Sequence, residues 1–177
     1  MASVGHFLTT KLRLKVNASK SAVARPEERK FLGFCITNDG SQRQIAPKAI
    51  VRFKRRVREL TRRTLGVSLP MLIEPLTRYL IGRRGYFGFC QTPIVLSTQD
   101  AWIRRRLRLY LWRQWQNGRN RFQELRRRGV PKFGAAVAAG SPTGLWRMSG
   151  HVGVQQALRN GDFDSVGLPR LAAASNA

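Results

Sequence analysis

Hydrophobic positions along the 177-residue chain follow two rhythms. Near the start they alternate: Leu12, Leu14 and Val16 share one side of an extended segment, and Lys11, Arg13 and Lys15 take the other. That is the pattern of a half-buried strand. Residues 31–36 predict a second strand, in which Gly33 marks a bulge or a close backbone approach. Asn38-Asp39-Gly40 predicts a hairpin turn into a short third strand near 43–46. Three strands of this length make a poor independent domain and read as the edge of a larger sheet.

From Pro47 the spacing lengthens to that of helices. Ile50, Phe53, Val57, Leu60 and Thr61 share one face over 47–64, and Gly66 ends that helix. Ser68 caps a second helix with Pro70 in its first turn and a kink expected at Pro75. Leu72, Ile73, Leu76, Tyr79 and Leu80 face inward on it. Ser97-x-x-Asp100 resembles a capping box, with Asp for the usual Glu or Gln, and opens the third and longest helix. Ile103, Leu107, Tyr110 and Leu111 form its core arc, joined by Gln114. It stops at Gly118 or continues to Gly129.

After Pro131 the composition shifts to Ala, Gly, Ser and Pro, which predicts a loosely structured extension. Leu145-Trp146-Arg147 is a small apolar anchor in it, 152–158 a short helix, and 172–177 a disordered end. The expected fold is mainly α with a small β remnant: strands in 1–46, a three-helix unit in 47–130, and a small extension over 131–177.

Charge changes this picture from a fold to a partner. The chain holds 33 Lys and Arg against 9 Asp and Glu, a net +24, and 26 of the cations are arginine. The three-helix unit alone carries +17, against +5 before it and +2 after it. Such a compact cation repels itself unless a polyanion lies alongside. Arginine's fork binds phosphate bidentately and stacks on planar rings, which favours nucleic acid over a membrane surface. On the third helix Arg104, Arg105, Arg106, Arg108 and Arg113 lie opposite the core arc, with Trp102, Trp112 and Trp115 among them. That arc predicts a surface for phosphates and bases. No apolar run reaches 18 residues and no secretory signal opens the chain, so a cytoplasmic location without a membrane partner is expected.

Catalytic chemistry is sparse. Cys35, Cys90, His6 and His151 match no zinc spacing, and two thiols suit a reducing compartment. The nine acids are scattered, with Asp162 and Asp164 the closest Asp pair, so no two-metal centre is expected. No Gly-rich phosphate loop precedes a helix. Neither a catalytic residue nor a metal ligand is assigned.

In this order, several motifs resemble the group II intron-encoded reverse transcriptase/maturase family. Leu12-Arg13-Leu14-Lys15-Val16-Asn17-x-x-Lys20-Ser21 is similar to the family's K-L-x-L-N-x-x-K-[ST] stretch, and Lys30-Phe31-Leu32-Gly33-Phe34 to its F-L-G-F strand. The run from Ile45 to Arg63 resembles the first helix of the thumb, or maturase-specific domain. Gly82-x-x-Gly85-Tyr86-Phe87 resembles its G-W-x-x-Y-F pattern, with Arg83 where an aromatic is usual. Trp102-Ile103-Arg104-Arg105-Arg106-Leu107-Arg108 is similar to bacterial class C intron proteins.

The resemblance implies a C-terminal fragment: the end of the palm, the thumb and a short tail. The Tyr-Ala-Asp-Asp metal site is expected upstream, so Mg²⁺ is expected only in a full polymerase and no cofactor on this fragment. The implied function is to bind structured group II intron RNA, assist its folding and splicing, and grip an RNA–DNA duplex during copying. Arg52, Arg55, Arg56, Arg62, Arg63, Arg104, Arg105, Arg108 and Arg113 are the expected RNA contacts. Lys20, Phe31, Leu32, Gly33 and Phe34 are the primer-grip-like residues, for use with an upstream reverse transcriptase fragment. Three alternatives stay open: part of an RNA-directed DNA polymerase active only with an upstream palm, a decayed remnant, and a basic DNA-binding or ribosome-associated protein.

Overall fold

The computed structural model describes residues 2–17, 30–37 and 39–172. Its sheet is a two-stranded antiparallel hairpin, β1 (Phe34–Ile36) against β2 (Arg43–Ile45), with Cys35 opposite Gln44. Gly33, at φ 78°, passes so close to Tyr86 that a Cβ there would lie 2.5 Å from the phenol oxygen. The Tyr86 hydroxyl donates to the Leu32 carbonyl and fixes the approach. The close approach foreseen at Gly33 is thus made by a helix, not by another strand.

Residues 11–17 form no strand, contrary to their alternation. They follow α1 (Ala2–Thr10) and leave Leu12 and Leu14 exposed. A strand needs a neighbouring ladder for its backbone groups, and no described residue supplies one there.

The fold is otherwise helical, as its periodicity predicts. α2 (Pro47–Leu60) begins on Pro47 at its first turn and buries Ala49, Phe53 and Val57. It stops four residues short of the predicted 64. The Thr61 hydroxyl turns back on the Val57 carbonyl at 2.6 Å, and an arginine from another helix takes the Thr61 carbonyl. α3 (Leu69–Phe87) buries Leu72, Ile73, Leu76, Leu80 and Phe87 and accommodates Pro75 within its length.

α4 (Pro93–Gln114) is the central rod. It starts at Pro93, one turn before the predicted cap. Ser97 is already helical and its hydroxyl donates to the Ile94 carbonyl. Asp100 instead accepts the backbone N–H groups of Leu171 and Ala172 at 3.0 Å. Gln116, at φ 52°, breaks the rod. Asn117 then caps α5 (Gly118–Arg127) by accepting the Asn120 N–H at 2.9 Å.

The extension predicted to be loose is built into the core. α6 (Lys132–Gly140), α7 (Leu145–Met148), α8 (Val152–Ala157) and α9 (Asn160–Ser165) follow one another with short links. Ala135, Ala138, Met148, Val154, Leu158, Phe163, Leu168 and Leu171 join the same apolar cluster as Phe53, Leu76 and Leu107. Small residues allow close packing here: a Cβ on Gly153 would sit 3.5 Å from that of Ala138. Each large side chain so buried contributes about 1.5–3 kcal/mol. Among the described residues no helix is long and apolar enough to cross a membrane.

Candidate nucleic-acid interface

The arginines of α4 divide into two sets. Arg104 is 3% exposed; it pairs with Asp164 and lies 3.7 Å from Asp100. Arg108 is 7% exposed and donates to the Leu158 carbonyl at 2.9 Å and to Asn160 Oδ1 at 2.7 Å. Burial, then the nearby Arg104 charge, pushes its pKa down. Arg105 stacks 4.2 Å over the Trp146 ring and donates to the Trp146 carbonyl and the Ser149 hydroxyl. A buried guanidinium is tolerable only when its donors are met, and residues 146–164 meet them. Arg104, Arg105 and Arg108 therefore hold the C-terminal helices and do not form the open cationic face expected of them.

Two of the three tryptophans expected on that face are also closed off. Trp112 and Trp115 are buried, and Arg121 and Arg128 of α5 and its C-cap lie over their rings. Their faces are occupied by cations of the same chain and are closed to bases.

A different stripe of α4 faces α2. Trp102, Arg106, Leu109 and Arg113 recur at helical spacing and turn toward the C-terminal half of α2 and the loop after it, with Leu109 buried, Trp102 and Arg106 half-buried and Arg113 exposed. Arg106 is anchored there: Nη2 donates to the Thr61 carbonyl at 2.9 Å, and Nε to the Thr61 hydroxyl at 3.2 Å. A cation at that point also faces the negative end of the helix dipole.

Two adjoining recesses lie beside this contact. One, of about 310 Å³, is lined by Arg58, Arg62, Arg63, Thr64, Arg106 and Leu109. The other, of about 680 Å³, is lined by Arg63, Thr64, Gly66, Arg113, Gln114 and Gln116. Sharing Arg63 and Thr64, they form one groove with five arginines and no acid among its lining residues. Lys54, Arg58 and Arg106 also converge on Trp102, at 5.4, 5.5 and 6.0 Å from its ring centre. Burial pushes the pKa of Arg106 down, and the charges of Arg58 and Arg63 add to the effect. These cations sense one another, and an anion between them would relieve the repulsion.

The predicted contacts on α2 and its C-terminal loop fare differently. Arg52, Arg55, Arg56, Arg62 and Arg63 are all exposed. Glu59 lies 3.0 Å from Arg56 and 3.9 Å from Arg55, so those two are partly neutralised. Arg62, Arg63 and Arg113 meet in the groove. Arg58 and Arg106 meet them there, although neither is among the nine expected RNA contacts and only Arg106 falls on the predicted cationic arc. The signal for Arg106 is the i, i+4, i+7, i+11 series from Trp102 to Arg113, which sets it on a different face of α4 from Arg104 and Arg108.

The primer-grip-like residues sit elsewhere. Phe31 and Leu32 are 77% and 71% exposed, and with Phe34, Tyr86 and Phe89 they line a separate apolar recess of about 460 Å³. Gly33 is the residue held against Tyr86. Lys20 lies outside the described residues. Among the described residues no three His, Cys, Asp or Glu side chains gather as a metal site requires.

Comparison with curated proteins gives no significant match for the chain. A family model does match: "Group II intron, maturase-specific domain", over residues 50–129. That span runs from the first turn of α2 to the end of α5 and contains every residue lining the groove. Over residues 50–129, the helices that build the groove, the chain is thus similar to the maturase-specific domain of group II intron proteins.

Proposed function

We propose that the chain binds group II intron RNA through the groove between the end of α2 and α4, and so assists the RNA in reaching its splicing-competent fold. The observation that carries this reading is the groove itself: five arginines, from α2, the loop after it and α4, with no acidic side chain among its lining residues. Guanidinium forks match phosphate oxygens in pairs, and Arg106 is already held in place by Thr61. Less of its freedom is lost when an anion arrives. Arg52, Arg55 and Arg56 extend the cationic surface along α2 and contribute less specific attraction. Arg104, Arg105 and Arg108 act at one remove, by keeping α4 rigid against the C-terminal helices. The groove offers guanidinium, hydroxyl and amide groups that can hold phosphates and riboses, and the role assigned to it is binding.

Phosphate binding displaces condensed counterions, so affinity should fall steeply as salt rises from ~50 to ~200 mM. A filter-binding series with a structured intron RNA measures this. Changing Arg63, Arg106 and Arg113 together to Gln should remove roughly two to three units of the log–log salt slope. Far-ultraviolet circular dichroism should show the helices intact. A flat salt response in the unaltered protein would reject the reading.

A further inference from the structure

One residue of the groove has a backbone that does not suit its side chain. Gln116 lies at φ 52°, in the left-handed region that glycine and asparagine enter far more readily. A disfavoured residue in such a conformation points to a use for its side chain. Gln116 is exposed and lines the larger recess beside Arg63 and Arg113, and its N–H donates to the Arg113 carbonyl at 3.2 Å. Its side-chain amide makes no hydrogen bond to a described residue. The neighbouring Gln114 amide is already committed, donating to the Val67 carbonyl at 2.6 Å and to the Tyr110 hydroxyl at 3.1 Å.

The chemistry of the lining narrows what Gln116 can do. Arginine has donors only, so the five arginines are matched first to phosphates and could meet a ribose hydroxyl only by donating to it. The 2′-hydroxyl both donates and accepts, and an amide offers it both partners. Thr64 has the same capacity through its hydroxyl, but it is not held in a conformation that its residue type avoids. We infer that Gln116 reads the ribose 2′-hydroxyl of a strand whose phosphates lie on Arg63 and Arg113, so that the groove distinguishes RNA from DNA. This rests on the groove's being the RNA-binding surface.

Two substitutions isolate the amide from the backbone. Gln116→Gly suits the left-handed conformation and removes the amide; Gln116→Asn suits it and keeps one. Fluorescence anisotropy of the full chain with a labelled single-stranded RNA and a DNA of the same sequence gives the affinity ratio. The unaltered protein should favour RNA, and Gln116→Gly should lower that preference about fivefold, the worth of one hydrogen bond, with DNA affinity held within about twofold. Gln116→Asn should fall between the two. Gln116→Gly should melt no lower than the unaltered chain, which shows that the fold is kept. An RNA-to-DNA ratio that Gln116→Gly leaves unchanged overturns the inference, while a steep salt dependence in the same samples leaves RNA binding by the groove standing. A flat salt dependence would remove both.

Discussion

Arg104 and Arg106 stand two residues apart on α4. Arg104 is sealed beneath Asp164 and Asp100, whereas Arg106 faces Arg58 and Arg63 across an open groove. The two sides differ in what lies opposite them. Toward residues 146–172 α4 meets carbonyls, a hydroxyl, an amide oxygen and the Asp164 carboxylate, and Arg104, Arg105 and Arg108 each end on one or more of them. Toward α2 it meets more arginines, and the oxygens that take up the Arg106 guanidinium are those of Thr61. A cationic stretch read from sequence is therefore two devices back to back: a clamp that closes the core, and a groove whose charges have no counterpart within its walls. Density of arginine does not tell them apart. The distribution of acceptors does.

Breaking the clamp should have the largest effect. Arg104→Met leaves the Asp164 and Asp100 carboxylates without their buried cation. The expected loss is about 3 kcal/mol, the low end for a broken buried pair, because Asp100 keeps two backbone amides and Asp164 keeps Arg170. Urea denaturation measures it. RNA affinity under conditions where the variant is still folded should change little, which separates clamp from groove.

A pH series sharpens the same contrast. Burial alone would raise the Asp164 pKa, but the hydrogen bonds from Arg170 and Arg104 overcome it and hold the carboxyl below the ordinary range. A depressed folded pKa stabilises the fold above the unfolded value of about 3.9. That contribution is lost as pH falls through the folded value. The urea midpoint should thus drop between pH 5 and pH 3, and Asp164→Asn should flatten part of that drop.

The smallest effect belongs on α2. Glu59→Gln frees Arg55 and Arg56 from their exposed ion pairs. Stability should change by less than ~1 kcal/mol, and RNA affinity in the filter assay should rise slightly as an acid leaves the basic face.

Periodicity made the core faces legible. Phe53 and Val57, Leu72 and Leu76, and Ile103 and Leu107 are placed inside by spacing alone, and all six are buried. The mainly helical class with a small β remnant follows from the same rhythm. Alternation misleads at Leu12 to Val16, because a strand pattern states a preference and not a partner. The fate of Arg104 and Arg108 was not legible either. Their acceptors, Asp164 and the Leu158 carbonyl, lie 60 and 50 residues further along the chain. The C-terminal helices were hidden for another reason: Ala and Gly that pack closely resemble, in composition, a linker. Of the groove, Arg62, Arg63 and Arg113 are named from sequence. Arg58, and the separation of Arg106 from the buried arginines of its predicted arc, needed the end of α2 and the stripe on α4 to be seen side by side.

The grip of Asp100 on the last described turn bears on where this domain can be divided. The matched span ends at Gly129, yet the amides that Asp100 holds belong to Leu171 and Ala172. A protein shortened to that span would leave Arg108 without the Leu158 carbonyl and Asn160, Arg104 with Asp100 but not Asp164, and Asp100 without the amides it holds. What sequence comparison recognises as one module is, mechanically, a keystone missing its last two stones.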